Sequence, residues 1–299
     1  MEILRTPEER FADLPDFPYE PHYTQLGDLR MAHVEAGSQG TGTVLLVHGE
    51  PSYSFLYRKM IPVLVEAGYQ VVAPDLIGCG RSDKPAERSD YSYQRHVDWF
   101  EGWLEANRLE SLTLFCQDWG SLIGLRAAID MPERFERIVL ANGGLPVGEE
   151  GGMTPAFHSW LEFSQNSRYF SVSRIINQGC VTNLSQEVKA AYDAPFPDDA
   201  YKAGVRVFPA LVPLKPDDPG AKENRLAWRK LMRWEKPFLT AFSDGDPITH
   251  GGEKPFQRLV PGAKDQPHVT IHEAGHFLQE DKGVELAKVI IDFMNRTGG

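Results

Sequence analysis

The sequence predicts an α/β protein with a mostly parallel central sheet, helices on both faces and a helical cap inserted late in the chain. Strand-like apolar runs alternate with amphipathic segments, which is the pattern of a parallel sheet. Several of the runs are continuously apolar, as expected where helices cover both faces. The alternation then breaks after Gly143-Gly144 and resumes at Pro237-Phe238.

Candidate strands are Leu29–Glu35, Val44–Val47, Gln70–Ala73, Leu112–Phe115, Ile138–Leu140, Phe238–Phe242 and Val269–Ile271. Candidate helices are Phe55–Glu66, Tyr93–Ala106, Ser121–Ile129 and Val284–Phe293. Pro62 inside the first of these predicts a kink or a late helix start. Between Gly144 and Lys230 the residues Phe157, Trp160, Leu161 and Ser164 have helical spacing, and the proline-rich stretches Asp193–Asp199 and Pro209–Pro219 interrupt the segment. The expected organisation is therefore a core over residues 1–143, a helical cap over 144–230 and the rest of the core over 231–299.

A chain of 299 residues is long enough to bury a large core, and its 41% hydrophobic and 24% charged residues are ordinary for a globular protein. A net charge of −11 argues against nucleic acid or an anionic membrane as partner. No apolar run reaches membrane-spanning length, and the acidic N-terminus has no signal-like apolar stretch. Three scattered cysteines (Cys79, Cys116 and Cys180) form no CxxC pair, so neither a disulfide framework nor a structural zinc site is expected. A reducing cytoplasm is the expected compartment. His272 and His276 are spaced for one helix face, but the β-branched residues before His272 and Gly275 before His276 favour a strand and loop over a metal site. Neither a metal nor another cofactor is expected, and the oligomeric state is not readable.

The chemistry concentrates in Cys116-Gln117-Asp118-Trp119-Gly120, which lies between the apolar run Leu112–Phe115 and the helix-like segment from Ser121. Strand, sharp turn between small residues and helix make a nucleophile elbow. The elbow usually carries Ser, and here it carries Asp. A Ser oxygen that displaced a group from an sp³ carbon would be left as an ether, whereas a carboxylate becomes an ester that water can cleave. The competing expectation is a helix N-cap, in which the Asp118 carboxylate would only satisfy free N–H groups.

Two further motifs support catalysis. Val44–Val47 leads into His48-Gly49-Glu50-Pro51, the loop that in an elbow fold supplies one oxyanion N–H, from Glu50, while the residue after the nucleophile, Trp119, supplies the other. Ala274-Gly275-His276-Phe277 follows the last strand, where a catalytic base belongs, and His268 and His272 lie outside that small-residue loop. The acid that orients His276 is expected in Ser243-Asp244-Gly245-Asp246-Pro247. Asp246 is favoured because it lies furthest toward the His loop, and Asp244 is the alternative.

With Gln117-Asp118-Trp119-Gly120, His48-Gly49-Glu50-Pro51, Asp246 and Gly275-His276-Phe277 together, the chain resembles the haloalkane dehalogenases of the α/β-hydrolase superfamily. It is most similar to the subgroup whose acid follows the strand after the cap. The other main subgroup has Asn where this chain has Glu50, and a Glu after the strand that here ends in Ala141-Asn142. Cys116 departs from the family's usual Gly. The resemblance implies a haloalkane substrate, water, a released halide, and a covalent ester on Asp118 hydrolysed by water that His276 activates. It implies halide binding by the indole N–H groups of Trp119 and Trp160, with Trp228 as the alternative to Trp160. An epoxide hydrolase would share the Asp elbow and would need cap tyrosines, for which Tyr169, Tyr192 and Tyr201 are available. A non-catalytic receptor on the same fold is a further alternative. A carboxylate substrate would want an Arg clamp, and neither Arg81 nor Arg126 is evidently placed for one.

Overall fold

The computed structural model describes all residues except Gln39, Thr41, Glu150 and Gly299. Its central sheet contains β1 (Pro21–Leu26), β2 (Leu29–Ala36), β3 (Thr43–Val47), β4 (Gln70–Pro74), β5 (Leu112–Asp118), β6 (Phe135–Gly143), β7 (Phe238–Ser243) and β8 (Val269–Ile271). These eight strands lie in the order β8-β7-β6-β5-β3-β4-β2-β1. Only the β1–β2 and β2–β4 pairs are antiparallel, so the part of the sheet that carries the motifs is parallel. A small separate ribbon pairs Ile3–Leu4 with Lys84–Pro85.

The central strands β3 and β5 are buried almost throughout, as expected for mostly apolar strands covered on both faces. Helices α2 (Tyr93–Ala106) and α3 (Trp119–Asp130) pack together in one layer, and α1 (Ile61–Glu66) packs with α10 (Leu278–Thr297) in another. Phe100, Trp103, Phe115 and Phe135 are fully buried between these elements. Each such side chain contributes about 1.5–3 kcal/mol through removal from water.

Local chemistry sets several boundaries. The Ser92 hydroxyl accepts from Arg95 N and begins α2. Pro62 sits in the first turn of α1, so the helix starts at Ile61, and Ser54–Tyr57 is a short 3₁₀ turn before it. Strand β1 has no apolar alternation to announce it: His22-Tyr23-Thr24-Gln25 is a polar edge strand that pairs only with β2. Helix α10 begins at Leu278, six residues before the sequence signal, because Lys282 (φ −135°, ψ 34°) kinks it and interrupts the periodicity.

Between β6 and β7 the described residues contain no strand. The segment holds α4 (Pro155–Asn166), α5 (Val172–Gln178), α6 (Gln186–Asp193), α7 (Ala203–Val207) and α8 (Ala221–Leu231). Thr154 caps α4 by accepting from Phe157 N, and Ser185 caps α6 by accepting from Val188 N. Helix α8 turns back onto α3, where Arg126 donates to Asn224 at 3.3 Å and Lys230 pairs with Asp130 at 2.7 Å. A short helix α9 (Glu253–Leu259) lies between β7 and β8.

Candidate active site

Asp118 sits at the junction of β5 and α3 with φ 52° and ψ −129°, a conformation that costs a side-chain-bearing residue about 1–3 kcal/mol. Close packing holds it there. A Cβ on Gly120 would lie 2.1 Å from Val47 O, and one on Gly143 would lie 2.3 Å from Ser121 Oγ. The Ser121 hydroxyl closes the turn by donating to Asp118 O and accepting from Gly144 N. Cys116 is fully buried beneath the elbow, and burial raises its thiol well above the usual range.

The Asp118 carboxylate does not cap α3. Its Oδ1 instead accepts from Glu50 N at 2.8 Å, across from the end of β3. Gly49 leaves room for this, since a Cβ there would fall 2.3 Å from the same oxygen. His48, the first residue of that loop, is buried with both ring nitrogens engaged: Nε2 accepts from Leu76 N, and Nδ1 therefore donates to Gly49 O. Its role is to shape the loop.

On the other side of Asp118, His276 Nε2 lies 3.4 Å from Oδ2, and His276 Nδ1 lies 2.9 Å from Asp246 Oδ2. Burial opposes a charge on the His276 ring, but the carboxylates of Asp246 and Asp118 outweigh it and raise the imidazole to about 10. Burial likewise opposes charge on Asp246. The His276 ring, the Thr249 hydroxyl and Ile248 N overcome that and lower its carboxyl to about 2. Asp244 points elsewhere and pairs with exposed His272 at 2.9 Å. His268 is engaged by Thr240 and Ala263. The described residues contain no cluster of His, Cys, Asp and Glu arranged to hold a metal.

Asp118, Glu50, Trp119, Trp160 and His276 all line one cavity of about 590 Å³, with Asp246 behind His276. The rest of the wall is mostly apolar, with Leu122, Leu145, Phe157, Val212 and Phe256 among its residues, alongside polar Thr154, Ser159, Gln178, Thr249 and His250. Trp119 is wedged between Tyr93 and Phe208, and among the described residues its indole N–H has no hydrogen-bond partner. The Trp160 indole faces the Glu50 carboxyl, whose proton affinity is raised first by burial and then by the Asp118 charge. Trp228 also lines the cavity, but its N–H is committed to Leu145 O at 2.8 Å. Among the described residues the wall contains no tyrosine, lysine or arginine. Tyr169 is exposed, the Tyr192 hydroxyl binds Glu280, and Arg126 is held by Gln94 and Asn224.

Two site residues were not found from the sequence. Asn142, at the end of β6, donates to Ser243 Oγ, Gly275 O and His276 O and accepts from Ser243 N. Gln117, one residue before the elbow, donates to His276 O at 3.2 Å. Their positions beside the nucleophile and at a strand terminus were visible, but no spacing rule links either to a loop more than a hundred residues away.

Comparison with known proteins agrees with this geometry. A family model described as the alpha/beta hydrolase fold matches residues 42–283. The chain is 51% identical to a haloalkane dehalogenase of Psychrobacter cryohalolentis over 99% of both chains. It is 49% identical to one of Mycolicibacterium paratuberculosis over 98% of both. The solved tetrameric haloalkane dehalogenase of Paraglaciecola agarilytica superposes with a TM-score of 0.90 at 38% identity, covering 96% of this chain and 97% of that one. Likeness of this extent runs through the sheet, the elbow and the helical insertion alike, and on it the chain belongs to the haloalkane dehalogenase family of α/β-hydrolase-fold enzymes.

Proposed function

We propose that the protein converts a haloalkane and water to an alcohol and halide in two steps, through an ester on Asp118. The observation that carries this reading is a strained Asp118 placed between the Glu50 N–H and His276 Nε2 at the wall of an apolar cavity. In the first step an Asp118 oxygen bonds to the substrate carbon, and the carbon–halogen electron pair leaves with the halide. Charge grows on the halogen in a largely apolar cavity, where oriented donors are most effective. Trp119 and Trp160 are the proposed donors, because an indole N–H donates and cannot act as a base. The insertion read as residues 144–230 is proposed to serve as the cap that carries Trp160.

The ester is neutral, so alkylation removes one of the two charges that raise His276. The imidazole can then take a proton from water while the oxygen attacks the Asp118 carbonyl. Asp246 fixes the tautomer and stabilises the imidazolium. The backbone N–H groups of Glu50 and Trp119 receive the oxyanion, and collapse expels the alkoxide. The alkoxide takes the proton held by His276 to become the alcohol, and Asp118, left as the acid, releases the remaining proton to solvent.

The same nucleophile could open an epoxide, but the leaving oxygen would then need a proton donor, and the lack of any tyrosine among the described wall residues supports the halide reading. The test is H276F exposed to 1,2-dibromoethane, with released bromide and intact protein mass measured together. A stoichiometric bromide burst and a covalent adduct are expected. A wild-type protein that hydrolyses styrene oxide and releases no bromide would favour the epoxide reading instead.

A further inference from the structure

We propose that Asp281 is a positioning residue that ties the mouth of the cavity to the loop of His276, holding the base in register while the segment Cys180–Thr182 is seated. The inference rests on the dehalogenase reading of the site. Asp281 lies in the first turn of α10, yet its carboxylate reaches outward. Oδ2 accepts from Gly275 N and from Val181 N, both at 2.9 Å, and Oδ1 accepts from Thr182 N at 2.8 Å. One of these donors precedes His276 by a single residue, and the other two lie beyond α5 in the helical insertion.

Nearby contacts make the same connection. Phe277 N donates to Gly179 O at 3.2 Å, and a Cβ on Gly275 would stand 2.3 Å from that carbonyl, so the two loops touch backbone to backbone. Glu280 accepts from the hydroxyl of Tyr192 on α6 and pairs with Arg58. Gly179, Cys180 and Val181 line the cavity, and Val181 is largely exposed at its rim. The kink at Lys282 separates this first turn of α10 from the rest of the helix. The turn therefore belongs with the His276 loop and the insertion.

The Asp118 backbone and its Oδ1 are anchored without α10, by Glu50, Gly120, Gly143 and Ser121, and His276 touches only Oδ2. Loosening Asp281 should therefore spare alkylation and impair the step that needs His276. A base misplaced by about 1 Å can cost up to about a hundredfold in rate.

The experiment is rapid-quench kinetics with a bromoalkane on the wild-type protein, D281A and D281N, following bromide release and intact mass. In D281A, alkylation is expected within about threefold of wild type, hydrolysis about ten- to a hundredfold slower, and the alkyl-enzyme accumulating. D281N keeps one carbonyl oxygen able to accept from Gly275 and Val181 but turns an amide NH2 toward Thr182 N, so it should restore the hydrolysis rate only in part, above that of D281A. Unchanged rates for both steps in D281A, or a parallel fall in both without accumulation, would overturn the proposal. Absence of a bromide burst in the wild-type protein would instead remove the dehalogenase reading on which it rests.

Discussion

Asn142 grips Ser243 from both ends of its carboxamide, accepting from Ser243 N and donating to Ser243 Oγ, each at 2.8 Å. The same Nδ2 reaches Gly275 O at 3.0 Å and His276 O at 3.1 Å. One buried side chain thus joins the end of β6 to the end of β7, which leads to Asp246, and to the loop of the proposed base.

Replacing Asn142 by Ala should therefore affect both stability and the second chemical step. The Ser243 N–H would lose its buried acceptor, at a cost of about 1–3 kcal/mol, while Gly275 O would keep Ser243 Oγ and His276 O would keep Gln117. A fall in urea midpoint with unchanged slope is expected, together with slower ester hydrolysis. Asn142→Asp should be worse, because it places carboxylate oxygens against the carbonyls of Gly275 and His276. An Asn142→Ala protein with wild-type stability would show that these bonds are replaced by water.

The raised His276 ionisation fixes a pH signature. An imidazole near pH 10 when folded and about 6.5 when unfolded binds more protons in the native state between those values. Its stabilising contribution is full below about pH 6.5 and is lost as pH rises toward 10. The stability difference between wild type and H276F should thus shrink across that window. Lys84, which burial lowers to about 8, also titrates there, but it does so in both proteins and cancels in the difference. Asp246 behaves in the opposite sense: its contribution persists above its unfolded value and disappears as pH falls through about 2. Urea unfolding of both proteins at several pH values measures the window, and a difference independent of pH would contradict the assigned ionisation.

Local motifs made much of the fold legible. The strand–Asp–helix junction, the His-Gly loop and the late His each occupy a short stretch where residue type and position in the sheet coincide, so Asp118, Glu50 and His276 could be named before any coordinates. Strand β1 was not legible because an exposed edge needs no apolar face, and its pairing with β2 is tertiary. The early start of α10 was hidden by the kink at Lys282. Asp246 and Asp244 differ by two positions in one turn, and only the path of the chain decides that the first faces His276 and the second faces solvent and His272. Asn142, Gln117 and Asp281 act across long sequence separations, which a periodicity cannot encode.

The two tryptophans of the helical insertion give the last test, because both line the cavity and they differ in what their N–H groups do. Trp228 donates to Leu145 O at 2.8 Å, whereas Trp160 faces the Glu50 carboxyl within the cavity. A halide arriving near Asp118 can recruit the second without breaking a backbone bond. Trp160→Phe keeps the ring's apolar bulk beside Phe163 and Phe170 while removing the donor. It should weaken bromide binding and slow alkylation about a hundred- to a thousandfold, the range expected for a lost transition-state donor. Trp228→Phe should cost about 1 kcal/mol of stability through the unpaired Leu145 carbonyl and leave bromide affinity within about threefold. Quenching of the remaining indoles by bromide reports both affinities, and an equal loss in the two variants would remove Trp160 from its proposed role.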